Sequence, residues 1–338
     1  MSTGRNVLLV GSVALDNAEQ VFRAAAKTFG HRLKRIPDGE TGERSAWIQW
    51  QRNAYKNNTA LFEDIRADSF HHQGFAGQNF RIRRDVNPAD IDVVPLGYAD
   101  CAEKSYREFK QLKESGVVHE GCRFQVSLPT PAAGLAAFVI PADHDKVEAY
   151  LEAQLIEEVR QISAFIPAEE LAVQWDAAFE IAFWEGIVKS PSITRERLID
   201  SLSRCGEGVP TGAELGYHLC YGDYEHKHFL EPENTANLVD VANRISSTAR
   251  RNVDWIHMPV PRERDDDDYF RPLENLTLRR ETELYLGLVH LTGGVEGSHR
   301  RIGVASRYVK DFGIATECGM GRRDPQTIRD LLRVHGEV

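Results

Sequence analysis

The sequence predicts an α/β fold in which eight parallel strands close into a (β/α)₈ barrel, with one domain spanning residues 1–338. Two observations favour this fold. Short apolar runs alternate with apolar residues at helical spacing along the chain, and no Gly/Ser-rich or Pro-rich linker divides it. The first strand–helix junction also lacks the G-x-G-x-x-G pattern of a dinucleotide site, which makes a doubly wound open sheet the weaker alternative.

The first strand and helix show this alternation clearly. The apolar run at residues 7–10 predicts a buried strand that ends at Gly11 and Ser12. Asp16 and Glu19 have the spacing of a capping box, which predicts that a helix begins here. Gly30 is expected to end that helix.

Seven further strands and several helices are predicted from the same alternation. The strands lie at residues 32–36, 123–128, 171–175, 214–219, 253–258, 283–291 and 313–316. Helices are predicted at 147–166, 237–245, 300–310 and 327–334. The less regular segment at about 55–100 is predicted to be an insertion after the second strand.

Composition and charge exclude several classes of partner. The net charge is −10, from 51 acidic and 41 basic side chains, which argues against nucleic acid as a partner. No apolar run approaches the roughly 20 residues that cross a bilayer, so we expect a cytoplasmic protein without a membrane partner. The five scattered cysteines suit reduced thiols or metal ligation better than a disulfide framework. The acidic run at 265–268 is expected to be a solvated loop.

In a parallel barrel the active site forms at the carboxyl ends of the strands. Nearly every predicted strand delivers a polar or metal-binding side chain there. These residues are Ser12, Asp38, Glu40, Thr130, Asp176, His218, Cys220, His257, His290 and Cys318. Among them, His290 is a candidate catalytic acid or base, with a hydrogen-bonded structural histidine as the alternative.

His218 and Cys220 lie two residues apart on one predicted strand, so both side chains point to the same face. His257 and Cys318 follow other strands, and imidazole with thiolate is the ligand set that tetrahedral Zn²⁺ prefers. Three protein ligands would leave a position for an incoming thiol, which would lose its proton and become a nucleophile. The pattern therefore favours thiol alkylation over hydrolysis, for which zinc is more often held by His and carboxylate.

These residues resemble those of a known family, the cobalamin-independent methionine synthases. The resemblance runs from about residue 6 to 325. It concerns the family's catalytic carboxyl-terminal barrel, its single-barrel relatives and epoxyalkane:coenzyme M transferase. The shared features are a Gly-Ser, a G-E with a downstream Arg, a strand-four Asp, an H-x-C and a late D-C-G-x-x-x-R segment. They fall on Gly11, Ser12, Gly39, Glu40, Arg44, Asp176, His218, Cys220 and the segment 317–323.

The resemblance implies a small substrate related to an amino acid. Its carboxylate would lie at Gly11 and Ser12, and its amine would contact Glu40 and Asp176, with Arg44 downstream in the same motif. Asp176 and His290 are the residues we expect to take part in catalysis.

The resemblance also implies a zinc cofactor with His218, Cys220 and Cys318 as ligands. The family's remaining ligand is a glutamate, and a proline aligns with it here. His257 lies two residues earlier on the same strand face and is expected to substitute for it, or Glu263 to reach back from the loop.

We therefore expect a zinc-dependent transferase that activates a small thiol for methyl or alkyl transfer. Homocysteine plus a folate is not the expected substrate pair, because the family's folate contacts cannot be traced onto residues 129–138. One alternative is a metal-independent lyase or decarboxylase, like the related uroporphyrinogen decarboxylase barrels, in which Asp176, Glu40 and Arg44 orient a carboxylated substrate. The other alternative is a zinc-containing binding protein for small molecules.

Overall fold

A computed structural model describes residues 4–65, 80–188, 193–222, 228 and 230–338. Within these residues the chain forms ten strands. They are β1 Val7–Leu8, β2 Arg35–Pro37, β3 Phe62–Asp64, β4 Phe80–Ile82, β5 Arg123–Pro129, β6 Leu171–Ala177, β7 Glu214–Leu219, β8 Trp255–Pro259, β9 Glu283–Val289 and β10 Gly313–Thr316.

Eight of these strands form one parallel sheet in the order β1-β10-β9-β8-β7-β6-β5-β2. A parallel bridge between Val7 and Leu33 connects its first strand to the segment that leads into its last. The sheet therefore closes on itself, and the predicted (β/α)₈ barrel is confirmed. β3 and β4 form a separate antiparallel hairpin.

Eleven α-helices and six 3₁₀ helices accompany the strands in the described part of the chain. The α-helices are labelled α1 to α11. They are α1 Ala18–Phe29, α2 Arg52–Asn57, α3 Tyr98–Glu114, α4 Pro131–Phe138, α5 His144–Phe165, α6 Ala178–Trp184, α7 Arg195–Glu207, α8 Ala236–Thr248, α9 Asp267–Phe270, α10 Gly294–Tyr308 and α11 Pro325–Glu337. None of the described helices is long and apolar enough to cross a membrane.

Helix α1 begins one residue later than the predicted capping box implies. The side chain of Asn17 accepts the hydrogen bond from the Gln20 amide, while Asp16 accepts one from the Gln20 side chain. Asn17 rather than Asp16 is therefore the N-cap of α1, and Asn stabilises a helix start as well as Asp does. Gly30 lies at the predicted end, with a φ of 52° that favours glycine.

The segment predicted as an insertion at about 55–100 contains the end of α2 and the β3–β4 hairpin, and residues 66–79 of it lie outside the described part. The hairpin packs on α4 through an aromatic cluster. The ring centroids of Tyr55 and Phe62 lie 5.3 Å apart, and those of Tyr55 and Phe138 lie 4.6 Å apart. The hairpin is thereby held against the helix that follows β5.

Arg35 closes the amino-terminal end of the barrel. Its guanidinium carbon lies 4.2 Å from the ring centroid of Trp255, and the group forms ion pairs with Glu214 and Glu283 at 2.8 and 3.3 Å. All three charged residues begin their strands. The carboxyl-terminal end is therefore the one that can admit a ligand.

Gly216 makes room for Trp255 inside the barrel. A Cβ atom at Gly216 would lie 1.9 Å from the Trp255 ring, so a side chain there is excluded. The two residues are in register on β7 and β8, and two residues further on His218 is in register with His257. This register places the two histidines side by side, one layer above the tryptophan.

Candidate metal centre and substrate cavity

A cavity opens to solvent at the carboxyl-terminal end of the barrel. It collects residues from separate strand ends, as the barrel fold predicts. Its lining consists of Val10, Gly11, Ser12, Glu40, Ala46, Trp47, Gln49, Asp176, Ala178, His218, Cys220, Gly222, Cys318, Gly319 and Arg322. Seven residues that we predicted from the sequence are therefore brought to one cavity: Gly11, Ser12, Glu40, Asp176, His218, Cys220 and Cys318.

His218, Cys220 and Cys318 form a compact cluster on one wall of this cavity. Their donor atoms all lie within 4.8 Å of one another. Cys220 Sγ is 3.7 Å from Cys318 Sγ, and Cys318 Sγ is 3.6 Å from His218 Nε2. In the described part of the chain this is the only group of three or more His, Cys, Asp or Glu side chains placed to share an ion.

Two of the three donor separations suit tetrahedral zinc, and the third, between His218 and Cys220, lies within 4.8 Å. Zn–S bonds of about 2.3 Å and Zn–N bonds of about 2.05 Å at tetrahedral angles place two sulfurs about 3.8 Å apart and a sulfur and nitrogen about 3.6 Å apart. The observed separations of 3.7 and 3.6 Å agree with both values. Two thiolates and one imidazole are also the donor types that zinc prefers.

His257 does not lie where a fourth ligand is expected. Its Nδ1 is 2.7 Å from Nδ1 of His218, and its Nε2 is 3.1 Å from the carbonyl oxygen of Thr316. Both ring nitrogens therefore face protein atoms other than the thiols, and the residue lies behind His218. Burial lowers the pKa of His257 to about 3 and that of His218 well below its usual value, so both rings are neutral. The alternative ligand Glu263 is exposed and pairs with Arg262.

Ser12 holds the turn that carries Cys318. The Gly321 amide donates to Ser12 Oγ at 3.2 Å, and the Met320 amide donates to the Ser12 carbonyl at 2.6 Å. A Cβ atom at Gly319 would lie 2.4 Å from Ser12 Oγ, so glycine is needed for this close approach. The serine that we predicted to bind substrate therefore anchors the turn that carries Cys318.

Glu40 and Asp176 place two carboxyl groups in the same cavity. Desolvation and the neighbouring Asp176 raise the pKa of Glu40 to about 8. Desolvation also raises the pKa of Asp176 to about 7, although hydrogen bonds from Gln174 and Trp47 oppose this change. Near neutral pH the pair therefore retains protons that exposed carboxyl groups would lose.

Glu40 owes its position to an unusual backbone. Its φ of 47° is left-handed, and its amide donates to Asp38 Oδ1 at 2.9 Å. A Cβ atom at Gly11 would lie 2.9 Å from Glu40 Oε1, so the glycine leaves space for the carboxyl group. Backbone strain of this kind is often found at functional sites.

Trp47 is a cavity residue that the sequence did not reveal. Its φ of 56° is also left-handed, its indole donates to Asp176, and its ring stacks on Phe179 with centroids 6.3 Å apart. No spacing pattern marks such a residue, because its position depends on a kink between two short helical turns.

Arg44 is directed toward Asp38 rather than toward the cavity. Its guanidinium forms a 2.6 Å ion pair with Asp38 Oδ2, which also accepts a hydrogen bond from Ser105. Arg44 is not among the described residues that line the cavity, whereas Arg322 is. Arg44 therefore supports the Glu40 backbone indirectly, through Asp38.

His290 also lies outside the lining of the cavity. Its Nε2 is 2.8 Å from the Val260 carbonyl, and its Nδ1 is 3.8 Å from Glu317 Oε2. Burial and the positive charge of Arg301 lower its pKa to about 3. This position matches the structural alternative for His290, a hydrogen-bonded barrel histidine, better than contact with a substrate.

Comparison with known structures finds methionine synthase-like barrels. A B12-independent methionine synthase from Shewanella sp. W3-18-1, in complex with selenomethionine, aligns with a TM-score of 0.52 and 17% identity over 73% of this chain and 67% of that one. A Listeria monocytogenes protein described as a candidate vitamin-B12-independent methionine synthase aligns with a TM-score of 0.50 and 15% identity over 100% and 98%. No protein-family model and no curated protein matches the chain. At these identities the likeness shows the fold, and the resemblance to the epoxyalkane transferase stays a prediction.

Proposed function

We propose that the protein is a zinc-dependent transferase that activates a small thiol for alkyl or methyl transfer. The observation that carries this proposal is the close cluster of His218, Cys220 and Cys318, in which the two separations from Cys318 Sγ match those around tetrahedral zinc. The cluster lies on the wall of a solvent-accessible cavity, so a substrate thiol could approach it directly.

The three donors would hold zinc and leave one coordination position for the substrate. When bound, zinc supplies the Lewis acidity that lets a coordinated thiol lose its proton near neutral pH. The buried wall behind His218 keeps this ligand rigid. Two thiolate ligands reduce the acidity of the metal toward water, which favours a thiol nucleophile over hydrolysis.

The rest of the cavity would bind and orient the substrate. Glu40 and Asp176 retain protons near pH 7, so they can share a proton with a substrate amine or donate a hydrogen bond to a polar group. Arg322 contributes a cation to the same lining, which suits a carboxylate. The selenomethionine complex of the Shewanella protein supports a substrate related to an amino acid, although the Glu-Pro of the resembled family is Ala177-Ala178 here.

Metal analysis of the purified full-length chain tests the proposal. We expect stoichiometric zinc, X-ray absorption at the zinc edge with two sulfur neighbours and one imidazole, and loss of the ion in H218A, C220A and C318A. C101S is the matched control, because Cys101 lies outside the cavity lining and should retain zinc. Absence of zinc, or its retention in all three ligand variants, would refute the proposal.

A transfer assay tests the reaction class. Small thiols are incubated with methyl and alkyl donors, and formation of thioether is measured before and after chelation. Thioether formation that disappears on chelation and returns with zinc supports the proposal. Turnover of a carboxylated substrate that survives complete chelation would instead support the metal-independent lyase. Zinc with four protein ligands and no turnover would support a binding protein.

A further inference from the structure

We propose that His257 is a positioning residue that fixes His218 in the tautomer whose Nε2 is free to bind a metal ion. This inference rests on the proposed metal site. It concerns a chain of two hydrogen bonds that runs from the Thr316 carbonyl through the ring of His257 to the ring of His218.

The Thr316 carbonyl determines the direction of both hydrogen bonds. The carbonyl oxygen of Thr316 can only accept a hydrogen bond, and it lies 3.1 Å from His257 Nε2. His257 Nε2 therefore carries a hydrogen atom. In a neutral ring the other nitrogen, Nδ1, is then an acceptor.

The contact between the two rings then determines which nitrogen of His218 carries a hydrogen atom. The two Nδ1 atoms are 2.7 Å apart, a distance at which only one of them can carry a hydrogen atom. Because His257 Nδ1 accepts, the hydrogen belongs to His218 Nδ1. His218 Nε2 is left with a lone pair, and this atom lies 3.6 Å from Cys318 Sγ.

Thr316 links two of the three donors. Its carbonyl accepts from His257, and its hydroxyl donates to the Cys318 carbonyl at 2.8 Å. The register of β10 against β9 shifts between Ile314 and Thr316, which marks a bulge or irregularity of the kind that often lies beside functional sites. One residue at this irregularity therefore orients both the imidazole ligand and the turn that carries Cys318.

The two hydrogen bonds through His257 orient the His218 ring without adding a charge. Metal-binding histidines usually donate their second N–H to a carboxylate, a backbone carbonyl or water. Here a neutral ring stands between His218 and the carbonyl, and His257 is fully buried. The two thiolates would therefore be the only anionic donors in the described cluster.

Two variants separate this role from simple packing. H257F keeps a flat ring of similar size but has no acceptor for His218 Nδ1. H257Q retains an amide oxygen that can accept from His218 and an amide nitrogen that can donate to Thr316. H144F is the matched control, because His144 is another buried histidine with Nε2 close to a backbone carbonyl, at 2.9 Å from Val139.

The first measurement is the tautomer of His218 in the metal-free protein, read by ¹⁵N NMR of the imidazole ring. Wild type, H257Q and H144F should show a hydrogen on Nδ1, and H257F should show a mixture of tautomers. A wild-type ring with its hydrogen on Nε2 would overturn the inference. Because no metal is present, this result is independent of the proposed function.

The second measurement is zinc affinity, from competition with a chromophoric chelator in full-length protein whose folding is checked by circular dichroism. We expect H257F to bind zinc about 10- to 100-fold more weakly, and H257Q and H144F to stay within a few-fold of wild type. Wild-type affinity in a folded H257F variant would overturn the positioning role. X-ray absorption showing two imidazoles on zinc in wild type and one in H257F would make His257 a ligand instead. Failure of the wild-type protein to bind zinc would refute the proposed function and leave the tautomer result standing.

Discussion

The backbone of Gly287 lies directly against Glu317, the residue before Cys318. A Cβ atom at Gly287 would lie 2.7 Å from Glu317 Cα and 3.1 Å from the Thr316 carbonyl oxygen. Neither neighbour is a flexible side chain, so the backbone that carries Cys318 can approach β9 only because residue 287 is glycine.

The variant G287A should therefore displace the Cys318 turn. We expect zinc affinity to fall at least tenfold, with stability reduced by about 1–3 kcal/mol through overcrowding. Chelator competition and urea unfolding measure the two effects. G303A is the control, because a Cβ atom there meets nothing within 4 Å and should leave zinc affinity unchanged while stabilising α10 by about 0.5–1 kcal/mol.

Glu40 and Asp176 should make stability depend on pH. Their pKa values in the folded protein, about 8 and about 7, lie above the usual values near 4. The folded state therefore holds protons that the unfolded chain has released, and the free energy of unfolding falls as pH rises from about 4 to 8.

In metal-free protein, urea unfolding of wild type and E40Q across this range measures the effect. The wild-type stability should decrease relative to E40Q as pH rises. E180Q serves as a comparison, because burial also raises the pKa of Glu180 to about 7 although Glu180 is not among the described lining residues. Parallel curves for wild type and E40Q would contradict the prediction.

The variant G216A should be severely destabilised. Its new methyl group would lie within 2.3 Å of three ring atoms of Trp255, and the closed barrel leaves the indole little room to move. We expect a loss of about 3 kcal/mol, measured by urea unfolding. The double variant G216A/W255L should recover part of this loss. If the double variant is no more stable than G216A, crowding against Trp255 is not the cause.

The variant S12A distinguishes an anchoring serine from one that only binds substrate. Loss of the hydroxyl removes the partner of the Gly321 amide, which should cost about 1 kcal/mol and weaken zinc binding several-fold. S247A removes an exposed hydroxyl that donates to a local carbonyl on α8 and should change neither property. Unchanged zinc affinity in S12A would contradict the anchoring role.

The barrel and most of the cavity could be predicted because strand ends are local in sequence. Polar residues such as Asp176 and Cys220 directly follow apolar runs, and parallel topology brings the carboxyl ends of these runs to one face. The H-x-C spacing also predicted that His218 and Cys220 face the same way, and both line the cavity.

The remaining features depend on register and backbone conformation, which no local pattern encodes. His257 lies on the predicted face of β8, but its ring contacts His218 because the two residues are in register. Trp47 lines the cavity because its backbone is left-handed. Arg44 turns away because Asp38 lies within reach of its guanidinium. For His257 a neighbour on another strand decides the direction of the side chain, whereas for Trp47 and Arg44 the local backbone conformation and a nearby ion pair decide it.

His218 lies on β7 and Cys220 directly follows it, whereas Cys318 follows β10, which pairs with both β1 and β9. These strands bring together the beginning and the end of the chain. A bound ion would connect the end of β7 with the segment that follows β10, and it could be captured only after the final strand has docked. Loss of the ion should loosen the segment after β10 before the middle of the barrel, which ties retention of the cofactor to completion of folding.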